Sequence, residues 1–156
     1  MLKIIIPDYV ERGRVEAAHR FLIDLPSEIL QAHPHLLLQH GNVHRRLGEA
    51  GAAVTAYEDA RAAFLALNDH AGTSRSLTRL AEIYRAQGNY RQAETLASEA
   101  LSFAAANDHT ARAEALLALA KASGFLTSMD RGRSLAEQAV DEARMAGDAL
   151  SLLARA

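Results

Sequence analysis

His40 and His44 stand four residues apart, a spacing that suits metal chemistry. Residues i and i+4 share one face of an α-helix, so two imidazoles placed that way can grip one divalent transition metal ion. His33 and His35 lie close by in the chain. The competing reading is that His40 and His44 are partly buried, hydrogen-bonded packing residues. Other chemistry finds no motif. There is no Gly-x-x-x-x-Gly-Lys-Ser/Thr phosphate loop, no Gly-x-Gly-x-x-Gly turn and no zinc-protease signature. Ser, His and Asp residues occur, but none in a strand–turn–helix elbow that would expose a nucleophile. Cys is absent, which removes disulfides and thiolate metal sites. The expectation is therefore a non-enzyme with no catalytic residues, no cofactor and no metal, its histidines serving packing.

The elements that would carry those residues are helices. The 156 residues suit one domain, are 49% hydrophobic and 23% charged, and so can bury a core. Aromatics make up only 5% and Trp is absent, so the apolar content rests on Ala and Leu, both strong helix formers. The 3 prolines, Pro7, Pro26 and Pro34, all precede the repeating part of the chain. A net charge of −2 gives no reason to expect a polyanion partner, and no direct nucleic-acid contact is expected. No apolar run approaches bilayer-spanning length, and the apolar stretch after Met1 is too short for a signal peptide. A cytoplasmic location follows by default, with no membrane contact.

Three segments align with one another. Leu77, Leu80-Ala81, Tyr84, Gly88, Ala93, Ala97 and Ala100 form the clearest of them. His35 to Gly41, then Gly48, Ala53, Tyr57 and Ala60 form the preceding one; Leu116, Leu119-Ala120, Ser123, Gly132, Ala136 and Ala139 form the next. The offset is about 40 residues between the first two and about 39 between the last two. The joints recur too: Asn68-Asp69-His70, Asn107-Asp108-His109 and Gly147-Asp148. Asn and Gly accept the left-handed conformation that closes a helix, and the Asp that follows caps the next one. Each repeat therefore reads as helix, tight turn, helix, loop, with Asp130 expected to cap the last helix. Small residues at Gly41, Ala81 and Ala120 let the paired helices approach closely. One such hairpin cannot bury its apolar stripe alone, so neighbours must stack.

Large-Leu-Gly/Ala-x-x-Tyr, a turn Gly, then Ala-x-x-x-large-x-x-Ala resembles the tetratricopeptide pattern over roughly residues 35–146. The resemblance implies an all-α fold, a right-handed α-α superhelix of about three helical hairpins with partial repeats at both ends. The whole of 1–156 reads as one domain, with a partial repeat at 8–32, repeats at 35–68, 73–107 and 110–147, and a partial helix at 148–156. The period, longer than the roughly 34 residues of the basic tetratricopeptide repeat, together with Glu11-Arg12-Gly13-Arg14-Val15-Glu16-Ala17-Ala18, Leu25-Pro26 and Pro34-His35-Leu36-Leu37-Leu38, is also similar to the MalT-like, LuxR-type bacterial transcription activators.

The family resemblance carries the functional expectation: a module that binds a protein, peptide or small effector. In such stacks the first helix of each pair lines the concave face. That would place His35, Gln39, Asn42, Arg45, Arg75, Thr78, Arg79, Glu82, Arg85, Glu114 and Lys121 in a groove where bases outnumber acids. The acids Glu49, Glu58, Asp59, Glu94, Glu99, Glu137, Asp141 and Glu142 would lie outside, on the second helices. An Arg-lined groove suits a carboxylate-bearing or acidic partner; equally, such charges can pair internally, as Arg79 with Glu82 or Glu82 with Arg85. Asn42 falls where chaperone-tail-binding members grip a terminal carboxylate. Leu38 replaces their Lys, however, and Arg79 their second Asn, so that clamp is not implied. Leu150, Leu152 and Leu153 are apolar where a capping helix is normally polar. They would serve as an end contact, for a larger protein or for self-association, unless the last helix folds back on the third repeat.

Overall fold

The computed structural model describes residues 15–147, all α with no strand among them. Eight helices run in order: α1 Val15–Ile23, α2 Ser27–Ala32, α3 Pro34–Arg46, α4 Ala50–Ala66, α5 His70–Ala86, α6 Tyr90–Phe103, α7 His109–Leu126 and α8 Met129–Ala146. The three long hairpins are thus α3–α4, α5–α6 and α7–α8, and the chain is an all-α helical repeat as its periodicity requires. The expected stretch 8–14, the partial helix at 148–156 and the end-contact leucines Leu150, Leu152 and Leu153 lie outside the described residues. No helix among those described is long and apolar enough to cross a membrane.

Packing divides the chain into two compact units, one ending at Asn68 and one beginning at Asp69. In the first, α1 and α2 pack on α3, and α3 packs on α4. Ala18, Leu22, Leu36 and Val43 are buried together, with Val15, Leu25, Leu30 and Leu47 around them. In the second, α5 packs on α6 and α7, α6 on α7, and α7 on α8.

The hairpin turns follow from local chemistry. Gly48 and Gly88 each adopt φ +80, a conformation L side chains resist, and it reverses the chain within three residues of helix. Asn68, just past the end of α4, also takes a left-handed conformation, at φ 54. Asp69 accepts from the Gly72 amide at 2.8 Å and Asp108 from the Ala111 amide at 3.0 Å, as caps should. The third turn differs from expectation. Ser128 caps α8 by accepting from the Arg131 amide, at 3.1 Å, and Asp130 sits inside the first helical turn, where its charge suits the helix dipole.

Gly41 explains how closely α3 and α4 approach: a Cβ there would run into the Tyr57 ring. Tyr57 is fully buried, and its hydroxyl donates to Asn42 Oδ1 at 2.8 Å, so the ring packs on the glycine while its polar end stays satisfied. Gly132 plays the same part for α7–α8, where a Cβ would meet the Gly124 Cα at 3.0 Å and the Ala120 carbonyl at 3.2 Å. Helix α5 buries Thr73, Ser74, Ser76 and Thr78. Three of these hydroxyls bond back to the carbonyls of Asp69, Gly72 and Ser74, four residues earlier, and Ser74 donates across to the Ala100 carbonyl on α6 at 2.8 Å. Donors satisfied in this way can be buried without the penalty of an unpaired polar group.

An ion cluster joins α8 to α7. Glu142 accepts from Arg112 Nε at 2.6 Å and lies 2.7 Å from His109 Nδ1, with its side chain only 13% exposed. The hydrogen bond from His109, with the Arg112 guanidinium beside it, outweighs burial and holds the Glu142 carboxyl below its ordinary range. Glu142 therefore faces α7 rather than the outside expected of it. Glu94 likewise turns inward, accepting from the Ser123 hydroxyl at 2.7 Å and pairing with Arg131 at 3.4 Å.

Three variants test this packing. Gly41→Ala should cost about 1–3 kcal/mol in denaturant unfolding because Tyr57 must move. Gly51→Ala, with open space around it, should be neutral or stabilise by about 0.5–1 kcal/mol. Glu142→Gln should cost about 1–2 kcal/mol near neutral pH. A carboxyl depressed on folding contributes stability above its unfolded pKa and loses it as pH falls through the folded one, so the difference between variant and parent should shrink as pH falls below the ordinary Glu range and vanish below the lowered folded pKa.

Candidate functional site

Two clusters of polar side chains stand out, one in each unit. Helix α3 places His35, Gln39, Asn42 and Arg45 along the first. Asn42 is half-buried and already engaged: its amide donates to Gln39 Oε1 at 3.1 Å while its oxygen accepts from Tyr57. His35 is set edge-on to Phe64, centroids 4.9 Å apart. Arg45 is exposed near the end of the helix.

His40 and His44 lie on the same helix one turn apart, with Nε2 atoms 2.9 Å from each other. Each is half-buried, and His44 Nδ1 lies 2.6 Å from Glu49 Oε2. Both are hydrogen-bonded. Burial, followed by the neighbouring His44 and His19 and offset in part by Glu49, pushes the His40 pKa down to about 4. His40 is thus neutral at physiological pH. His19, from α1, sets its ring edge-on to His44 with centroids 5.3 Å apart. The repeat alignment gave no hint of His19, which lies outside the three aligned segments; the only signal was the presence of another histidine one helix away.

In the second unit α5 and α7 lie side by side, and the residues expected to line a groove do meet there in part. Arg79 reaches Glu82 on its own helix at 3.1 Å and Glu114 on α7 at 3.4 Å, with its side chain 19% exposed. Two separate helices are therefore joined by one guanidinium. Arg75, Glu82, Arg85 and Lys121 are each half-buried. The Arg85 Nε is buried with no hydrogen-bond partner among the described residues. Thr78, expected in the groove, is instead buried, because its hydroxyl is satisfied by the Ser74 carbonyl 3.0 Å away. The Arg79–Glu82 pair shows that part of the basic character of this face is balanced within the chain.

Comparison with known proteins agrees with the fold. No curated protein matches the sequence. Residues 34–106, the two hairpins from α3 through α6, match the family model of the tetratricopeptide repeat. Repeats of this kind generally serve as protein-interaction scaffolds. Residues 34–106 thus resemble tetratricopeptide repeats, within an all-α helical-repeat chain whose third hairpin, α7–α8, repeats the same helix–turn–helix plan.

Proposed function

We propose that the chain is a docking module for an acidic segment of a protein partner, and that the α5–α7 face carrying Arg75, Arg79, Glu82, Arg85 and Lys121 receives it. The observation that carries this reading is the arrangement around Arg79. Its guanidinium is held in place by Glu82 and Glu114, so it is ordered before any partner arrives. Beside it Arg85 keeps a buried Nε–H donor without an acceptor among the described residues, a group that gains most from an incoming carboxylate. The same face suits a small carboxylate effector, the form that fits a regulatory section.

The regulatory version rests on sequence likeness to the MalT-like, LuxR-type activators, whose ATPase and DNA-reading parts would lie outside these residues. The scaffold version needs no such neighbours, and self-association through the apolar residues at the chain's end belongs with it. Genomic context separates the two: an adjoining ATPase core or helix-turn-helix favours the regulator.

Binding of acidic peptides, followed by fluorescence anisotropy, tests the docking face. Arg75→Glu combined with Arg79→Gln should weaken binding by at least about tenfold, roughly 1.4 kcal/mol. Arg144→Glu, on exposed α8, should leave it unchanged. Equal affinities for all three proteins would remove the α5–α7 face from the reading.

A further inference from the structure

The docking face uses none of the histidines in the first unit, and their arrangement has its own logic. His40 and His44 present their Nε2 atoms to each other at 2.9 Å. His19 reaches the same point from α1. One ring nitrogen from each of the three lies within 4.8 Å of the other two. Imidazole nitrogens bound tetrahedrally at about 2.0–2.1 Å stand roughly 3.3 Å apart, so small side-chain rotations bring all three to bonding distance of one ion.

Glu49 adds a second, independent feature. Its carboxylate lies 2.6 Å from His44 Nδ1. A carboxylate in that position keeps the proton on Nδ1, which leaves the Nε2 lone pair for a ligand and fixes the ring orientation. With no ion, the facing Nε2 atoms of His40 and His44 share one hydrogen bond. With an ion, the His40 proton moves to Nδ1 and both lone pairs turn toward the metal.

We infer that His19, His40 and His44 bind one divalent transition metal ion of the zinc class, with Glu49 orienting His44. Three neutral imidazoles suit zinc, cobalt, nickel or copper and are poor donors for magnesium or calcium, which prefer oxygen. Three protein ligands leave a fourth position for water or for a side chain of another molecule. The ion ties α1 to α3, so its binding stabilises the first unit. This site does not depend on the docking face.

The test uses the untagged chain, stripped of metal by a chelator and then dialysed. Calorimetric titration with zinc chloride should show one ion per chain and a raised melting temperature. Cobalt chloride should give the intense visible bands of four-coordinate cobalt. His19→Gln and His44→Gln should each weaken zinc binding by more than about tenfold, and Glu49→Gln by about tenfold. His33→Gln and His70→Gln should leave it unchanged. Circular dichroism of the metal-free variants shows that each is folded. The wild-type cobalt spectrum decides the matter without any variant: one that stays that of the hydrated ion overturns the site. So does zinc affinity that survives His19→Gln and His44→Gln, or that falls equally with His70→Gln.

Discussion

The distance of closest approach between paired helices governs this structure. Two helices can lie only as near as the atoms between them allow. Opposite Tyr57 that position is Gly41, and no other residue fits without moving the ring. Opposite Gly132 the neighbours are backbone atoms of Gly124 and Ala120. Once the helices are this close, the chain must reverse in very few residues. That demands the left-handed turns at Gly48 and Gly88 and early capping of the next helix. The small side chains therefore fix the hairpin, and the hairpin fixes which residues of neighbouring helices can meet.

Much of this was legible in the sequence because it is local. A turn glycine, a capping Asp and a small residue at a packing position each act within a few residues of themselves. The recurrence of all three at nearly constant intervals made the all-α repeat plain. What escaped was set by helix rotation and by partners distant in sequence. Thr78 was expected to face a groove, but a Thr can bury its hydroxyl on the carbonyl four residues back, and polarity alone does not reveal the choice. Glu142 was expected outside, yet it meets His109 and Arg112 across 33 and 30 residues of chain. Ser128 and Asp130 both suit a cap, and only the backbone shows that Ser128 holds the position. His19 belongs to the partial repeat at 8–32, outside the three aligned segments, so their alignment did not bring it to His40 and His44.

Charge on the α5–α7 face follows a similar division. Arg75, Arg79 and Arg85 were readable as a basic series on one helix. Their pairing was not fully readable, since Glu82 is near in sequence but Glu114 is not. The result is a face whose most central base is fixed by its own acids, while Arg85 retains an unmatched donor. Ordering of one group and unmet bonding capacity in another are separate properties, and this face combines them.

The position of α8 has a consequence for the order in which the second unit comes apart. Helix α7 touches α5, α6 and α8, whereas α8 is held mainly by α7, through Ala113 and Ala143, through the Glu142 cluster, and through Arg131 to Glu94 on α6. Detaching α8 would leave the α5–α6–α7 packing intact. Such an opening costs less than unfolding the unit, so amide protons of α8 should exchange with solvent ahead of those in α5. The surface first uncovered is the stripe around Ala113 and Leu117, apolar and newly available to whatever can replace a helix.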